Sequence, residues 1–288
     1  MKTVAVLVTY HPDTDRVKAM MTALEPQVDG LILVDNGSDQ TGMLDSMLGH
    51  LSIPCEALFQ PDNRGLAQAQ NAGIALAQGM GAAAVLLMDQ DSLPGDNMVA
   101  ALKSALTARQ EGRPAAIGAA FIEPARGTAA ALPDGDYPEV RAVIASGTLI
   151  PIAVFHDVGR FDEALFIDFV DTEWCLRARA RGYRCFIARN ARMTHQIGER
   201  SLRFLGRRRA IHAPERLYYQ VRNGLLLARY RHVPRLWLAG VLTRTLLRSC
   251  GLALLTPPRR RRFQAVWAGF VHGLQGRSGP AESRGQET

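Results

Sequence analysis

The sequence predicts an α/β protein, with a mixed but mainly parallel central sheet flanked by helices and a basic amphipathic helical extension at its C-terminal end. Two observations predict the sheet. From Thr3 to Ile122, short apolar runs alternate with stretches of helical period, the pattern of βαβ units whose strands are buried on both faces. These runs end in polar clusters at Thr9, Asp35 and Asp89, at the carboxyl ends of strands, where open α/β sheets bind their ligands. A third observation predicts the extension. Residues 1–176 carry 10 Lys and Arg against 23 Asp and Glu, a net −13, whereas residues 177–288 carry 24 against 4, a net +20. The 288-residue chain sums to only +7, which conceals this division. At 47% hydrophobic and 21% charged residues, the composition excludes a collagen-like, disulfide-rich or wholly disordered chain.

The first strand is Val4–Val8, broken by Thr9-Tyr10-His11-Pro12-Asp13. Asp13 or Thr14 can cap a helix whose Val17, Met20, Met21 and Leu24 fall on one stripe. A second strand, Leu31–Val34, delivers Asp35-Asn36-Gly37-Ser38-Asp39. Strands at Cys55–Phe59 and Ala83–Met88 are separated by an Ala-rich helix over 66–77, and the later one ends in Asp89-Gln90-Asp91. A helix over 96–109, a strand over 115–122 and a loop over 127–138 follow. The run 140–150 is apolar, with Ser146-Gly147-Thr148 set inside it, and a helix over 171–180 precedes a short strand over 183–187.

From Ser201 the chain becomes Arg-rich and apolar. Residues 236–256 are long enough to span a bilayer, but Arg244 and Arg248 interrupt them, at a cost of about 3 kcal/mol each at a helix centre. Their i, i+4 spacing puts both guanidiniums on one face, which predicts an amphipathic helix lying in a membrane interface. Pro257-Pro258, the run Arg259–Arg262 as its most exposed element and a second amphipathic stretch through Trp267 and Phe270 follow, before a disordered tail over 276–288. A helix packed on the main domain with a solvated Arg segment is the alternative. The expected domains are 1–200, divided near 122 into a nucleotide-binding half and an acceptor half, and 201–275. Four scattered cysteines without C-x-x-C predict neither a zinc site nor a disulfide scaffold, and the first residues lack the h-region of a signal peptide. The expected location is cytoplasmic, peripheral on the inner face of a bacterial plasma membrane.

Asp89-Gln90-Asp91 is the sharpest local feature. Two carboxylates at i and i+2 of an extended chain point the same way, and such hard-oxygen donors hold Mg²⁺ or Mn²⁺ against a diphosphate. A bare D-x-D is more often a solvated turn; its place at the end of an apolar strand reverses that and favours the metal. No G-x-G-x-x-G follows the first strand and no G-x-x-x-x-G-K-[ST] occurs, so neither a dinucleotide fold nor a P-loop is supported.

Val8-Thr9-Tyr10, Val34-Asp35-Asn36-Gly37-Ser38, Asn63-Arg64-Gly65-Leu66-Ala67 with Asn71-Ala72-Gly73, Asp89-Gln90-Asp91 and Ser146-Gly147-Thr148 together resemble the family 2 inverting glycosyltransferases of the GT-A fold. The segment from Phe166 to Arg177, FIDFVDTEWCLR, is similar to the bacterial rhamnosyltransferase branch. The resemblance covers roughly Thr3 to Arg231. It implies that Thr9 and Asp35 contact the base and ribose, that Tyr10 lines the same pocket, and that Asn63 and Gly65 shape the loop beside the nucleoside, with Arg64 near the phosphates. Gly65 also suits a plain helix-start turn. Asp89 would face ribose or metal, Asp91 would be the principal metal ligand, and His195 would touch metal or diphosphate unless it is structural. Asp171 falls at the base that deprotonates the acceptor, with Glu173 and Asp168 as neighbouring acids. Val170 stands where the family more often has a Glu, and Asp171 could also cap the following helix.

The donor implied by the resemblance is dTDP-L-rhamnose and the product an O-antigen-like polysaccharide, while the Arg-rich, Trp-bearing amphipathic segments point to a lipid-linked saccharide acceptor at an anionic membrane surface. Other sugars on the same scaffold (glucose, galactose, galactofuranose) are the alternative. The +20 of the C-terminal part also fits nucleic acid, but its Leu-rich stretches would then stand exposed, so no nucleic-acid partner is expected.

Overall fold

The computed structural model describes residues 1–39, 41–122, 133–195, 201–204, 207–210 and 213–281. The chain forms two compact units, one of Met1–Asn63, Ala69–Phe161 and Asp171–Glu199, the other of Arg64–Gln68, Asp162–Val170 and Arg200–Thr288.

The first unit is built on one mixed sheet. Its strands are β1 (Thr3–Thr9), β2 (Gly30–Asp35), β3 (Cys55–Phe59), β4 (Ala84–Asp89), β5 (Ser92–Pro94), β6 (Pro114–Ile122), β7 (Glu139–Val140), β8 (Thr148–Pro151) and β9 (Arg184–His195). They are ordered β3-β2-β1-β4-β8-β6-β9-β5, with β7 also paired to β9. The β3, β2, β1 and β4 strands are mutually parallel, as are β6 and β9, while β8 runs antiparallel to both its neighbours. Every residue of β1 is buried, which its uninterrupted apolar run requires of a central strand covered on both faces.

Helix α1 (Thr14–Leu24) follows its sequence pattern closely. The Asp13 side chain accepts from the Arg16 N–H, and Val17, Met20, Met21 and Leu24 are the buried stripe. Helix α2 (Thr41–Leu48) was not expected; Met43, Leu44, Met47 and Leu48 recur at helical spacing, but over only eight residues, and just Leu44 and Leu48 of them are buried. Helices α3 (Leu66–Gly79) and α4 (Met98–Ala108) match expectation within a turn. The run 140–150 resolves into β7, a connecting segment and β8. It is followed by α5 (Ile152–Val158), whose seven residues merge into the apolar run and cannot be told from strand by periodicity. Helix α6 (Val170–Ala180) leads to β9, whose twelve residues far exceed the expected 183–187. Beyond Ile187 the run Arg189-Asn190-Ala191-Arg192 is polar enough to read as loop, yet it continues in the sheet past a register shift against β6. Of the expected loop 127–138, residues 127–132 lie outside the described residues, and 133–138 carry neither helix nor strand.

The second unit holds the hairpin of β10 (Ser201–Phe204) and β11 (Arg207–Ala210) and three helices, α7 (Pro214–Leu226), α8 (Arg235–Leu255) and α9 (Arg259–Gln275). Leu217, Val221 and Val266 form its buried centre. Helices α7 and α9 approach closely because α9 turns glycine toward α7. A Cβ on Gly269 would lie 2.6 Å from the Tyr218 carbonyl oxygen. Helix α8 is long and apolar enough to cross a membrane by length and composition, and only 22% of that stretch is buried. Two expectations need correction here. Arg262 is not exposed with Arg259–Arg261; it lies on the buried stripe with Val266, Gly269 and Gly273. Residues 276–281 are not a free tail, because the Gly279 N–H donates to the Ala164 carbonyl at 2.8 Å and the Ala281 N–H to the Tyr219 hydroxyl at 2.8 Å. The remainder, 282–288, lies outside the described residues.

Candidate functional site

Because β1 and β2 are parallel and in register, Thr9 and Asp35 are direct partners at their carboxyl ends. Both side chains are wholly buried. The Thr9 hydroxyl donates to Asp35 Oδ2 at 2.7 Å; Ser38 donates its hydroxyl to the same oxygen and its N–H to Oδ1, each at 2.7 Å. Three donors therefore offset the cost of burying this carboxylate. The turn after Asp35 presses on the next loop. Gly37 has φ +93°, and a Cβ there would lie 2.7 Å from the Asp62 carbonyl carbon, so only glycine allows the approach. Across that contact the Asn36 amide donates to Asn63 Oδ1 at 3.0 Å.

Tyr10 is exposed, and its backbone is gripped by Gln90. The Tyr10 N–H donates to Gln90 Oε1 at 2.6 Å and Gln90 Nε2 donates back to the Tyr10 carbonyl at 3.1 Å. The middle residue of the D-x-D motif thus ties the end of β1 to the end of β4, a role that no motif pattern signals. The motif itself is not extended, as its spacing had suggested. Asp89 closes β4, Gln90 and Asp91 make a turn, and β5 begins at Ser92, because the chain must reverse to pair with β9. The Asp89 N–H donates to the Ser146 hydroxyl at 3.1 Å, and Ser146 donates to Ser92 Oγ at 2.8 Å. His195 is the last residue of β9, paired opposite Ser92; its imidazole lies outside the described part of the chain.

Among the described residues no group of three His, Cys, Asp or Glu side chains could hold a metal alone. Asp89 and Asp91 offer two hard carboxylates at a strand end. That donor set suits a cation completed by phosphate oxygens and water, as Mg²⁺ prefers, and does not suit a self-contained cage.

Asp171 stands in the first turn of α6. Its Oδ2 accepts from the Ala145 N–H at 3.3 Å, and its Oδ1 from the Thr172 N–H at 2.6 Å and the Thr172 hydroxyl at 3.3 Å. Burial raises its pKa above the ordinary carboxylate value, and these hydrogen bonds only partly counter it. Ala145 thus touches Asp171 while the adjacent Ser146 touches Asp89, so one short segment joins the two acids. Glu173 is placed differently. Two residues apart on a helix, the two acids do not share a face. Glu173 is 1% exposed, and both its oxygens accept from Arg177, at 2.9 and 2.8 Å. Arg177 also donates to the Val158 and Arg160 carbonyls, so Glu173 is part of a scaffold that anchors α6.

Arg64, Gly65 and Asp168 belong to the second unit. Gly65 has φ +92°, and a Cβ there would meet the Phe166 ring at 2.6 Å, so its glycine is required by packing. Phe166, Asp168 and Phe169 adopt φ of 63°, 64° and 65°, a cluster of left-handed residues without glycine. Two α7 residues hold this segment. Asn223 Nδ2 donates to the carbonyls of Leu165, Ile167 and Asp168 at 2.7, 2.7 and 3.0 Å, and Arg222 donates to Leu165 O at 3.0 Å. Arg216 Nε lies 3.3 Å from both Asp168 oxygens. The partners of Arg222 and Asn223 are some 55 residues away and leave no local pattern in the sequence.

A family model described as "Glycosyl transferase family 2" matches residues 6–122. The chain is 34% identical over 250 residues to a dTDP-rhamnosyl transferase, RfbF, of Shigella flexneri, covering 81% of each chain. Among solved structures it is similar to residues 1–349 of S. aureus TarS in complex with UDP-GlcNAc, with TM-score 0.62, 16% identity, and 96% of this chain and 82% of that one covered. It is also similar to GalNAc-T7 with UDP, GalNAc and Mn²⁺, with TM-score 0.58, 11% identity, and 85% and 54% covered. These structural likenesses show the GT-A fold.

Proposed function

Because this chain belongs to glycosyl transferase family 2, we propose that it transfers L-rhamnose from dTDP-L-rhamnose, with inversion, to a lipid-linked saccharide acceptor in the assembly of an O-antigen-like polysaccharide. The observation that carries the donor is the identity to the dTDP-rhamnosyl transferase, spread over four fifths of both chains. The crevice is consistent with it. Thr9, Tyr10, Asp35 and Asn63 receive the base and ribose, with the Asp35 carboxylate already oriented by Thr9 and Ser38.

Asp171 is the base. A carboxyl whose pKa is raised by burial is a stronger proton acceptor once ionised, and the Ala145 and Thr172 donors fix its direction. It takes the proton of the acceptor hydroxyl as that oxygen attacks the anomeric carbon, and the nucleoside diphosphate leaves from the opposite face. Asp89 and Asp91, with His195 as the third group the family resemblance names, would hold Mg²⁺ or Mn²⁺, and the ion supplies charge neutralisation on the departing diphosphate.

The acceptor is met at a membrane. Leu236, Leu247 and Leu254 of α8 are 93%, 70% and 69% exposed, and Phe263 and Trp267 of α9 are exposed too, beside Arg244, Arg248 and Arg259–Arg261. Apolar side chains rimmed by arginine suit the cytoplasmic leaflet of a bacterial plasma membrane, on which the protein is peripheral. Thermal-shift screening against a panel of nucleotide sugars with Mn²⁺ tests the donor: selective stabilisation by dTDP-L-rhamnose is expected, and a preference for a UDP- or GDP-sugar would overturn it.

A further inference from the structure

Within the second unit, a cavity of about 560 Å³ lies where α7 gives way to α8. Its wall combines two chemistries. Arg229, Arg231 and Arg235 contribute three guanidiniums, and Val233, Leu238 and Leu242 contribute apolar surface. All three arginines are exposed, and none makes an ion pair with a carboxylate among the described residues. Arg229 is steadied by a hydrogen bond from its Nη2 to the Leu274 carbonyl at 2.8 Å. From Arg216 to Ala281 the sequence holds twelve arginines and not one Asp or Glu. Asp162, the acid bonded to the Tyr230 hydroxyl beside them, also accepts the Ala164 N–H.

Like charges gathered in one cavity repel until an anion arrives, and guanidiniums recognise phosphate oxygens through paired N–H donors. The apolar wall says more about the occupant. It is made by Leu238 and Leu242, one turn apart on the same face of α8, with Val233 beside them. A free phosphate uses only the arginines, whereas a phosphorylated lipid uses both surfaces. We propose that this cavity binds the phosphate head group of an anionic lipid, with the hydrocarbon chain lying along α8. The proposal rests on the membrane reading above and adds a defined headgroup site to it.

Vesicle flotation tests it with phosphatidylcholine vesicles carrying either phosphatidate, whose phosphomonoester is open to paired arginine donors, or phosphatidylglycerol at equal surface charge. The wild-type chain should bind phosphatidate vesicles about tenfold more tightly. The double variant Arg231→Gln/Arg235→Gln should lose that preference and still float with both. The Arg231 and Arg235 side chains are exposed and make no hydrogen bond or ion pair among the described residues, and an unchanged melting curve will confirm a folded variant. As a second variant, Arg244→Gln outside the cavity should weaken both vesicle types alike and keep the preference. Wild-type binding without preference for phosphatidate would overturn the headgroup site and leave the membrane reading standing; binding to neither vesicle would overturn both. If inorganic diphosphate alone bound as tightly as phosphatidate vesicles, the lipid occupant would be wrong.

Discussion

The Ala145 N–H donates to Asp171 Oδ2 at 3.3 Å, and the next residue, Ser146, receives the Asp89 N–H at 3.1 Å. A carboxylate on α6 and the end of β4 are thereby positioned by neighbouring residues of one segment. Substitutions on either side of that segment should separate base chemistry from fold.

Asp171 sets a pH dependence. Its carboxyl is raised in the folded chain, so the neutral form stabilises the fold; that contribution is full below the unfolded carboxylate pKa and is lost as pH rises through the raised folded value. Turnover has the opposite sense, since only the ionised carboxylate accepts a proton. The acid limb of kcat/KM should therefore lie above the ordinary carboxylate range. Asp171→Asn should keep or raise the melting temperature at neutral pH while turnover falls by about 100-fold or more. Wild-type turnover in this folded variant would remove Asp171 from the mechanism.

Glu173 and Arg177 should contribute to stability more than to chemistry. Removing one partner of a buried ion pair costs about 3–5 kcal/mol, so Glu173→Ala should unfold at markedly lower denaturant concentration. At matched folded fraction, kcat should stay within about tenfold of wild type, the least that a catalytic base contributes being about 100-fold. A larger loss would give Glu173 a catalytic part beside its structural one.

How far the sequence alone reaches can be judged from such residues. The β1, β2 and β4 strands and the Asp13-capped α1 were legible because burial on both faces, or on one helical stripe, writes a period into the chain. Thr9 and Asp35 were legible as strand-end polar residues. The Ser146 bridge, the Gln90 clamp and the Asn223 hold were not, since each depends on a partner 50 to 80 residues away. Strand β5 has only three residues, too few for a period, and the helical spacing of α2 runs over only eight, shorter than the window on which a helix is recognised.

Asn223 secures the left-handed segment Phe166–Phe169. Asn223→Ala leaves three backbone carbonyls without this donor at a fully buried position, which should cost about 1–3 kcal/mol. Hydrogen exchange across 162–170 should accelerate in this variant; unchanged protection there would show that the segment holds its conformation without Asn223.

Divalent metal is the next test. Chelation should abolish turnover and Mg²⁺ or Mn²⁺ restore it, while Asp91→Asn should raise the metal concentration needed for half-maximal rate by about tenfold or more. Full activity in chelator would remove the metal from Asp89 and Asp91.

Thr9→Val deletes one of the three donors on Asp35 and keeps the shape of the side chain. A loss of about 1 kcal/mol in unfolding free energy is expected, together with weaker dTDP binding by calorimetry. Unaltered nucleotide affinity would place the base and ribose elsewhere.

The most direct measurement is turnover itself, with dTDP-L-rhamnose, a lipid-linked saccharide acceptor and Mn²⁺, following dTDP release and the anomeric configuration of the product by NMR. Release of dTDP with inverted rhamnosyl linkage, absent in Asp171→Asn, is the expected result. Retention of configuration, or faster turnover of another nucleotide sugar, would contradict it.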